Sequence, residues 1–194
     1  MNNEIITKIL NEEIKANDLI NLNYQNDKNE IDFNYVEIYF NIVKKIIKQY
    51  QQEINNYQVL EYKKLKISNY FINKREEKFY NNYLYQRHHI EEIFISGAFL
   101  QSNKLDYNNG LCLIVNIEEH AFLHYLIVKS RTTNPNYGML IQLKLKDWSN
   151  IAKKYCKKYN IKYDRKWKKM LYPKGITNSF LEWFFGLKKY SNLK

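Results

Sequence analysis

Tight turns are scarce in this sequence, and that constrains its fold more than any other feature. The chain's 194 residues contain five glycines and two prolines. An all-β sandwich or barrel needs a turn about every 8–12 residues, so this supply argues against one. Long apolar stripes point instead to helices. Tyr35, Tyr39, Ile42, Val43, Ile46, Ile47, Tyr50 and Ile54 recur at helical spacing, with Lys44, Lys45 and Lys48 off the stripe. This predicts a helix near 35–55. Ile5, Ile6, Ile9, Leu10 and Ile14 predict a shorter amphipathic helix over 3–16. Residues 19–34 read as loop, and 58–80 as mostly helical.

Near Asn82 the character changes. The aromatic-rich run 83–90 suits a strand. Residues 97–110, with Asp106, Asn108 and Asn109 between two glycines, read as a loop. The apolar run 111–115 is of buried-strand type, and Cys112 within it is a packing residue. Asn116 followed by Glu119 is a variant of the capping box, opening a helix that runs to about Lys129. Beyond it, Met139, Ile141, Leu143 and Leu145 alternate with polar residues and predict a strand. A basic helix follows near 147–159 with Trp148, Ile151, Ala152, Tyr155 and Tyr159 on one face. A second, short one lies near 164–171, before Pro173 and Gly175. Ser179 and Glu182 form another capping box ahead of Trp183 and Phe184. The fold class expected is α+β, with a helical N-terminal region (1–80), a central motif (81–130) and a basic, mostly helical C-terminal region (131–194).

Charge is unevenly placed. The formal net charge is +11, and residues 126–194 hold 17 basic against 3 acidic groups. Such a block reads as a polyanion-binding surface. Lys153, Lys154, Lys157, Lys158, Lys166, Lys168 and Lys169 are its candidate phosphate contacts. The interleaved aromatics Tyr155, Tyr159, Tyr163 and Trp167 are better read as a core stripe than as a base-stacking surface. The N-terminus has no apolar signal segment, and no run of 18 apolar residues exists, so no membrane partner is expected. Two cysteines without metal or disulfide spacing, Cys112 and Cys156, fit a reducing, cytoplasmic setting.

The chemistry rests on four histidines. His88, His89, His120 and His124 all fall within 37 residues. His120 and His124 are i and i+4 on the capped helix, so both imidazoles leave one face. His88 and His89 are consecutive on a strand and point to opposite sides. One of the two can join the helical pair around a cation while the other faces a substrate. Three neutral imidazoles can hold a divalent ion, and a fourth can take a proton near neutral pH.

The order R-H88-H89-I, an Asn-bearing loop, an apolar strand and E119-H120-A-F-L-H124 resembles the His-Asn-His (HNH) endonucleases of ββα-metal architecture. The closest style is the doubled-His one of nuclease colicins and of phage or mobile-element nucleases. The resemblance covers residues 83–130. It implies a metal-dependent DNA endonuclease, with His89 as general base, His88, His120 and His124 as ligands of one divalent ion (Mg2+, Mn2+ or Zn2+), and Asn109, with Asn108 the next match, orienting the base. It also implies products with 5′-phosphate and 3′-hydroxyl ends. Arg87 would clamp the scissile phosphate. The partner expected is double-stranded DNA, and a homodimer is compatible with the sequence. A non-catalytic, metal-stabilised DNA-binding protein is the alternative reading; it has no need of a fourth, unligated imidazole.

Overall fold

A computed structural model describes residues 3–171. The N-terminal helix α1 (Asn3–Leu10) is shorter than its apolar pattern suggested, because the chain turns at Glu12 in a left-handed conformation (φ 64°). Helix α2 (Phe33–Glu53) follows the expected stripe. It buries Val36, Tyr39, Phe40, Ile42, Val43, Ile46 and Tyr50 and leaves the lysines outside. The Ser179–Glu182 capping box, with the Pro173–Gly175 stop, lies outside the described residues.

The segment 58–80, expected to be mostly helical, is not. It holds the two-residue strands β1 (Leu60–Glu61) and β2 (Arg75–Glu76) and two 3-10 turns. Its backbone is claimed by distant partners. Tyr62 N donates to the Gly110 carbonyl (2.8 Å), Lys63 N donates to that of Asn108 (3.0 Å), and Arg87 binds the carbonyls of Tyr62 and Leu65. Such bonds outweigh weak local helix preference.

Strand β3 (Asn82–Tyr83) pairs with β2 in a small ribbon. Strand β4 (Tyr85–His89) runs straight through the predicted strand. The expected loop 97–110 contains two short helices, α3 (Gly97–Ser102) and α4 (Lys104–Asn109). Asn103 caps α4, its side-chain oxygen accepting from Leu105 N and Asp106 N, so an asparagine read as a loop residue starts a helix.

Strand β5 (Leu111–Asn116) is the centre of an antiparallel sheet ordered β1-β5-β4, with His88 opposite Leu113 and His89 opposite Cys112. Cys112 to Val115 are fully buried. Where β1 stops, the Tyr57 hydroxyl continues the ladder, donating to the Ile114 carbonyl (2.7 Å) and accepting from Ile114 N (3.0 Å). β4 is an edge strand, so residues on either face of it can reach around its free side.

Helix α5 (Ile117–Ser130) begins at the expected capping box. Asn116 Oδ1 accepts from Glu119 N (2.9 Å), and Glu119 Oε2 accepts from Asn116 N (3.0 Å). The Tyr50 hydroxyl donates to the same carboxylate oxygen (2.7 Å), locking α2 to this cap. Every residue of α5 but Glu118 is buried, so it is the axis of the core, packed by α2, α6 and the sheet.

The strand expected over 139–145 is absent. A 3-10 turn spans Gly138–Ile141, and helix α6 (Leu145–Lys158) starts at the last of the alternating residues. Met139 and Leu143 are buried four residues apart, whereas Ile141 between them is 87% exposed. Four alternating positions without a strand partner do not make a sheet. α6 lies against α5, with Trp148 Nε1 donating to the Ala121 carbonyl (2.7 Å). Residues 164–171 form one 3-10 turn, Trp167–Met170, instead of a helix. The aromatic series is core: Tyr155 and Trp167 are buried, and Tyr163 is half-buried, with its hydroxyl bonded to those of Ser149 and the Trp167 indole. The class is α+β. Among the described residues, no helix is long and apolar enough to cross a membrane, and both cysteines are free and buried.

Candidate metal centre

β4 sends alternate side chains to opposite faces. Gln86 and His88 face α5, and Arg87 and His89 face the β1 side. On the α5 face, His88 meets the two histidines of the helix. One ligand atom from each of His88, His120 and His124 lies within 4.8 Å of the others. Ring centroids are 5.1 Å apart for His88–His120, 5.3 Å for His88–His124 and 4.8 Å for His120–His124.

Hydrogen bonds decide which nitrogen is free on two of the three rings. The Tyr39 oxygen lies 2.9 Å from His88 Nε2 and 3.2 Å from the Ile90 carbonyl oxygen. Burial holds the Tyr39 hydroxyl proton well above the ordinary phenol range, so the group stays protonated. A carbonyl only accepts, so Tyr39 donates its one proton to Ile90. Its oxygen therefore accepts from His88 Nε2–H, and the lone pair of His88 is on Nδ1. That atom is buried and has no partner among the described residues. Leaving it so would ordinarily cost about 1–3 kcal/mol.

The same logic orients His120. The Gln86 amide nitrogen donates to the Tyr83 carbonyl (3.3 Å) and to the Gln142 side-chain oxygen. Gln86 Oε1 is thus an acceptor for His120 Nδ1–H. His120 keeps its lone pair on Nε2, which lies 3.1 Å from His124 Nε2. Neutral imidazole, the form a cation needs, is favoured throughout. Burial, reinforced by the neighbouring imidazoles, pushes His88 and His120 well below the ordinary histidine range. Burial alone pushes His124 down to about 4.

The donor set fits one ion. Ligands 2.0–2.2 Å from a shared cation are roughly 3.0–3.5 Å from each other. The His120–His124 separation falls in that range, and a ligand atom of His88 lies within 4.8 Å of both. The supports behind two of the three rings, Tyr39 and Gln86, are of the kind that fix tautomer and direction in metal sites. Tyr39→Phe is expected to lower Zn2+ affinity roughly 10–100-fold by freeing the His88 tautomer. Competition with a chromogenic chelator measures this; unchanged affinity would show that Tyr39 does not set the ligand.

His89 occupies the other face. Its ring stacks on Tyr62 (centroids 4.8 Å apart, planes at 16°) and contacts Tyr107 (4.4 Å). Its Nε2 is 2.8 Å from the Tyr107 carbonyl oxygen, so Nε2 carries the proton and Nδ1 the lone pair. Burial lowers its pKa, and the Tyr107 carbonyl opposes that shift. His89, His120 and His124 line one cavity of about 390 Å³, reached around the free edge of β4 and walled by residues 135–142.

The remaining expected residues are placed differently. Asn109 is beside Lys63, whose ammonium donates to its side-chain oxygen, and its carbonyl accepts from Asn3. The Asn108 carbonyl accepts from Lys63 N. The carbonyl that holds His89 is that of Tyr107, earlier in the same segment. Arg87 is committed internally. It donates to the carbonyls of Tyr62 (3.0 Å) and Leu65 (3.3 Å) and to the Tyr62 hydroxyl (2.8 Å), and it stands 3.6 Å over the Tyr62 ring. Its visible task is to hold Tyr62 against His89. Tyr39, Gln86 and Tyr107 were not readable as site residues, since only their spatial neighbours give them that part.

The basic surface is where the charge pattern put it. Lys153, Lys154, Lys157 and Lys158 are exposed on α6, opposite its buried face. Lys154 is paired with Glu118, and Lys158 stands over the rings of Tyr155 (5.3 Å) and Tyr159 (5.0 Å). Lys166 and Lys169 are exposed, and Lys168 is half-buried. In comparisons with known proteins, no family model, curated protein or solved structure matches this chain.

Proposed function

We propose that this protein is a metal-dependent endonuclease of the HNH, ββα-metal kind, hydrolysing phosphodiester bonds of double-stranded DNA. The observation that carries the reading is a division of labour across one edge strand. Three imidazoles converge on one face, with the lone pairs of His88 Nδ1 and His120 Nε2 turned toward the cluster, and a fourth, kept out of that cluster, lines the same cavity. A purely structural metal site has no use for the fourth.

The chemistry a divalent ion supplies in such a site is stabilisation of negative charge on the phosphate and on the leaving oxygen. His88 and His120 would hold it through Nδ1 and Nε2, with His124 as the third imidazole. His89 accepts the proton of the attacking water on Nδ1, while the Tyr107 carbonyl keeps Nε2 protonated and Tyr62 fixes the ring plane. Tyr107 thereby does what the family resemblance assigned to Asn109. Arg87 contributes by positioning Tyr62.

The deciding experiment is cleavage of supercoiled plasmid with Mg2+, Mn2+ or Zn2+, with and without chelator. Metal-dependent nicking or linearisation is expected. Stoichiometric metal and DNA binding without cleavage would favour the metal-stabilised binding protein instead.

The α6 lysines are proposed to supply backbone affinity. Each phosphate neutralised adds about 0.9 to the slope of log K against log salt. Lys154 is already engaged by Glu118, so the test uses Lys153, Lys157 and Lys158. Neutralising these three together is expected to flatten the slope by about 1–3 units without unfolding the chain. A slope equal to that of the unmodified protein would move the DNA contact away from α6, toward Lys166 and Lys169.

A further inference from the structure

Among the described residues, Glu92 is the carboxylate that reaches the histidine cluster. It lies on the 3-10 turn Ile90–Ile93, which bends the chain back as soon as β4 ends. Its Oε2 is 3.6 Å from His124 Nε2, and its side chain is only 14% exposed. Among the described residues that imidazole is its only polar partner, and Glu92 lines the same cavity as His120 and His124. The carboxylate sits where Gly97 has no side chain: a Cβ there would come within 2.8 Å of Oε2. Ligands sharing one cation are roughly 3.0–3.5 Å apart. The His120–His124 separation, 3.1 Å, falls in that spacing and the His124–Glu92 separation, 3.6 Å, lies just beyond it, with His124 between the other two.

We infer that Glu92 is a fourth protein ligand of the ion, completing a three-histidine, one-carboxylate centre. This rests on the metal reading above and extends it. An anionic oxygen donor offsets one of the cation's two charges and favours harder ions than imidazoles alone would. Fewer coordination positions then remain for substrate oxygen and water.

The test compares the full-length protein with Glu92→Leu, which fills a similar volume without a donor, and with Glu92→Gln. Zn2+ and Mn2+ affinities are measured by chelator competition, and the visible spectrum of the Co2+-loaded protein is recorded. Unmodified protein is expected to bind one ion per chain. Glu92→Leu is expected to lose more than about tenfold in affinity, the smallest effect typical of removing even an outer support. The loss should be larger for Mn2+ than for Zn2+, and the Co2+ bands should shift. Zn2+ affinity within twofold of the unmodified protein overturns the assignment. So does a weakened affinity with an unaltered Co2+ spectrum, which would place Glu92 outside the coordination sphere. If Glu92→Leu does not fold, Glu92→Gln is judged by the same two readouts. Unmodified protein that binds no ion overturns the metal reading itself and this assignment with it.

Discussion

Replacing His120 by alanine is expected to remove the divalent ion and DNA cleavage together. His120 is the hinge of the cluster. Its Nδ1 is anchored on Gln86, its Nε2 faces His124, and its ring packs edge-on against His88. Losing it leaves two imidazoles in place of three, and it frees the half-buried Gln86 oxygen as well. Metal per chain, measured by elemental analysis, should fall from about one to near zero, and cleavage should fall to the metal-free background. His124→Ala should do the same, and the double variant should be no worse than either single one, because residues acting as a unit are not additive. Thermal unfolding of the metal-free proteins provides the folding control. Unchanged metal content in both single variants would refute the centre.

His89→Ala is expected to separate chemistry from binding. The ring lies on the opposite face of β4 from the cluster, held by the Tyr107 carbonyl and by Tyr62, and its Nδ1 makes no bond to the described residues. Removing it should leave metal content and DNA affinity near those of the unmodified protein. Turnover should drop about 10²–10⁴-fold, the usual cost of losing a general base. Cleavage at more than a tenth of the original rate would mean that another group takes the proton. Tyr107→Ala is not a substitute for this variant, since the bond comes from its backbone carbonyl.

The two variants bear on features that were legible to different degrees. Local periodicity carried what the sequence determined by itself. The i,i+4 spacing of His120 and His124, the Asn116–Glu119 cap that starts their helix, the opposite faces of His88 and His89, and the stripe of α2 each depend on contacts within a few residues. Dihedral geometry alone sets those. The lysine face of α6 was legible for the same reason, since its buried and exposed sides alternate with the helical period.

What needed the tertiary structure is non-local in every case. The apolar alternation at Met139–Leu145 looks like a strand, but among the described residues no strand pairs with it, and Ile141 is exposed to solvent. Residues 58–80 lose their helical reading because Gly110, Asn108 and Arg87 take up their backbone groups. Tyr39 is one more aromatic on an apolar stripe until folding sets its hydroxyl between Ile90 and His88. Glu92 is one of two adjacent glutamates until a 3-10 turn carries it to His124. The carbonyl behind His89 belongs to Tyr107 and not to Asn109 because the short helix α4 settles which backbone group reaches the ring. Hydrogen bonds between residues far apart in the chain choose tautomers and ligands, and such partners have no periodic signature in the sequence.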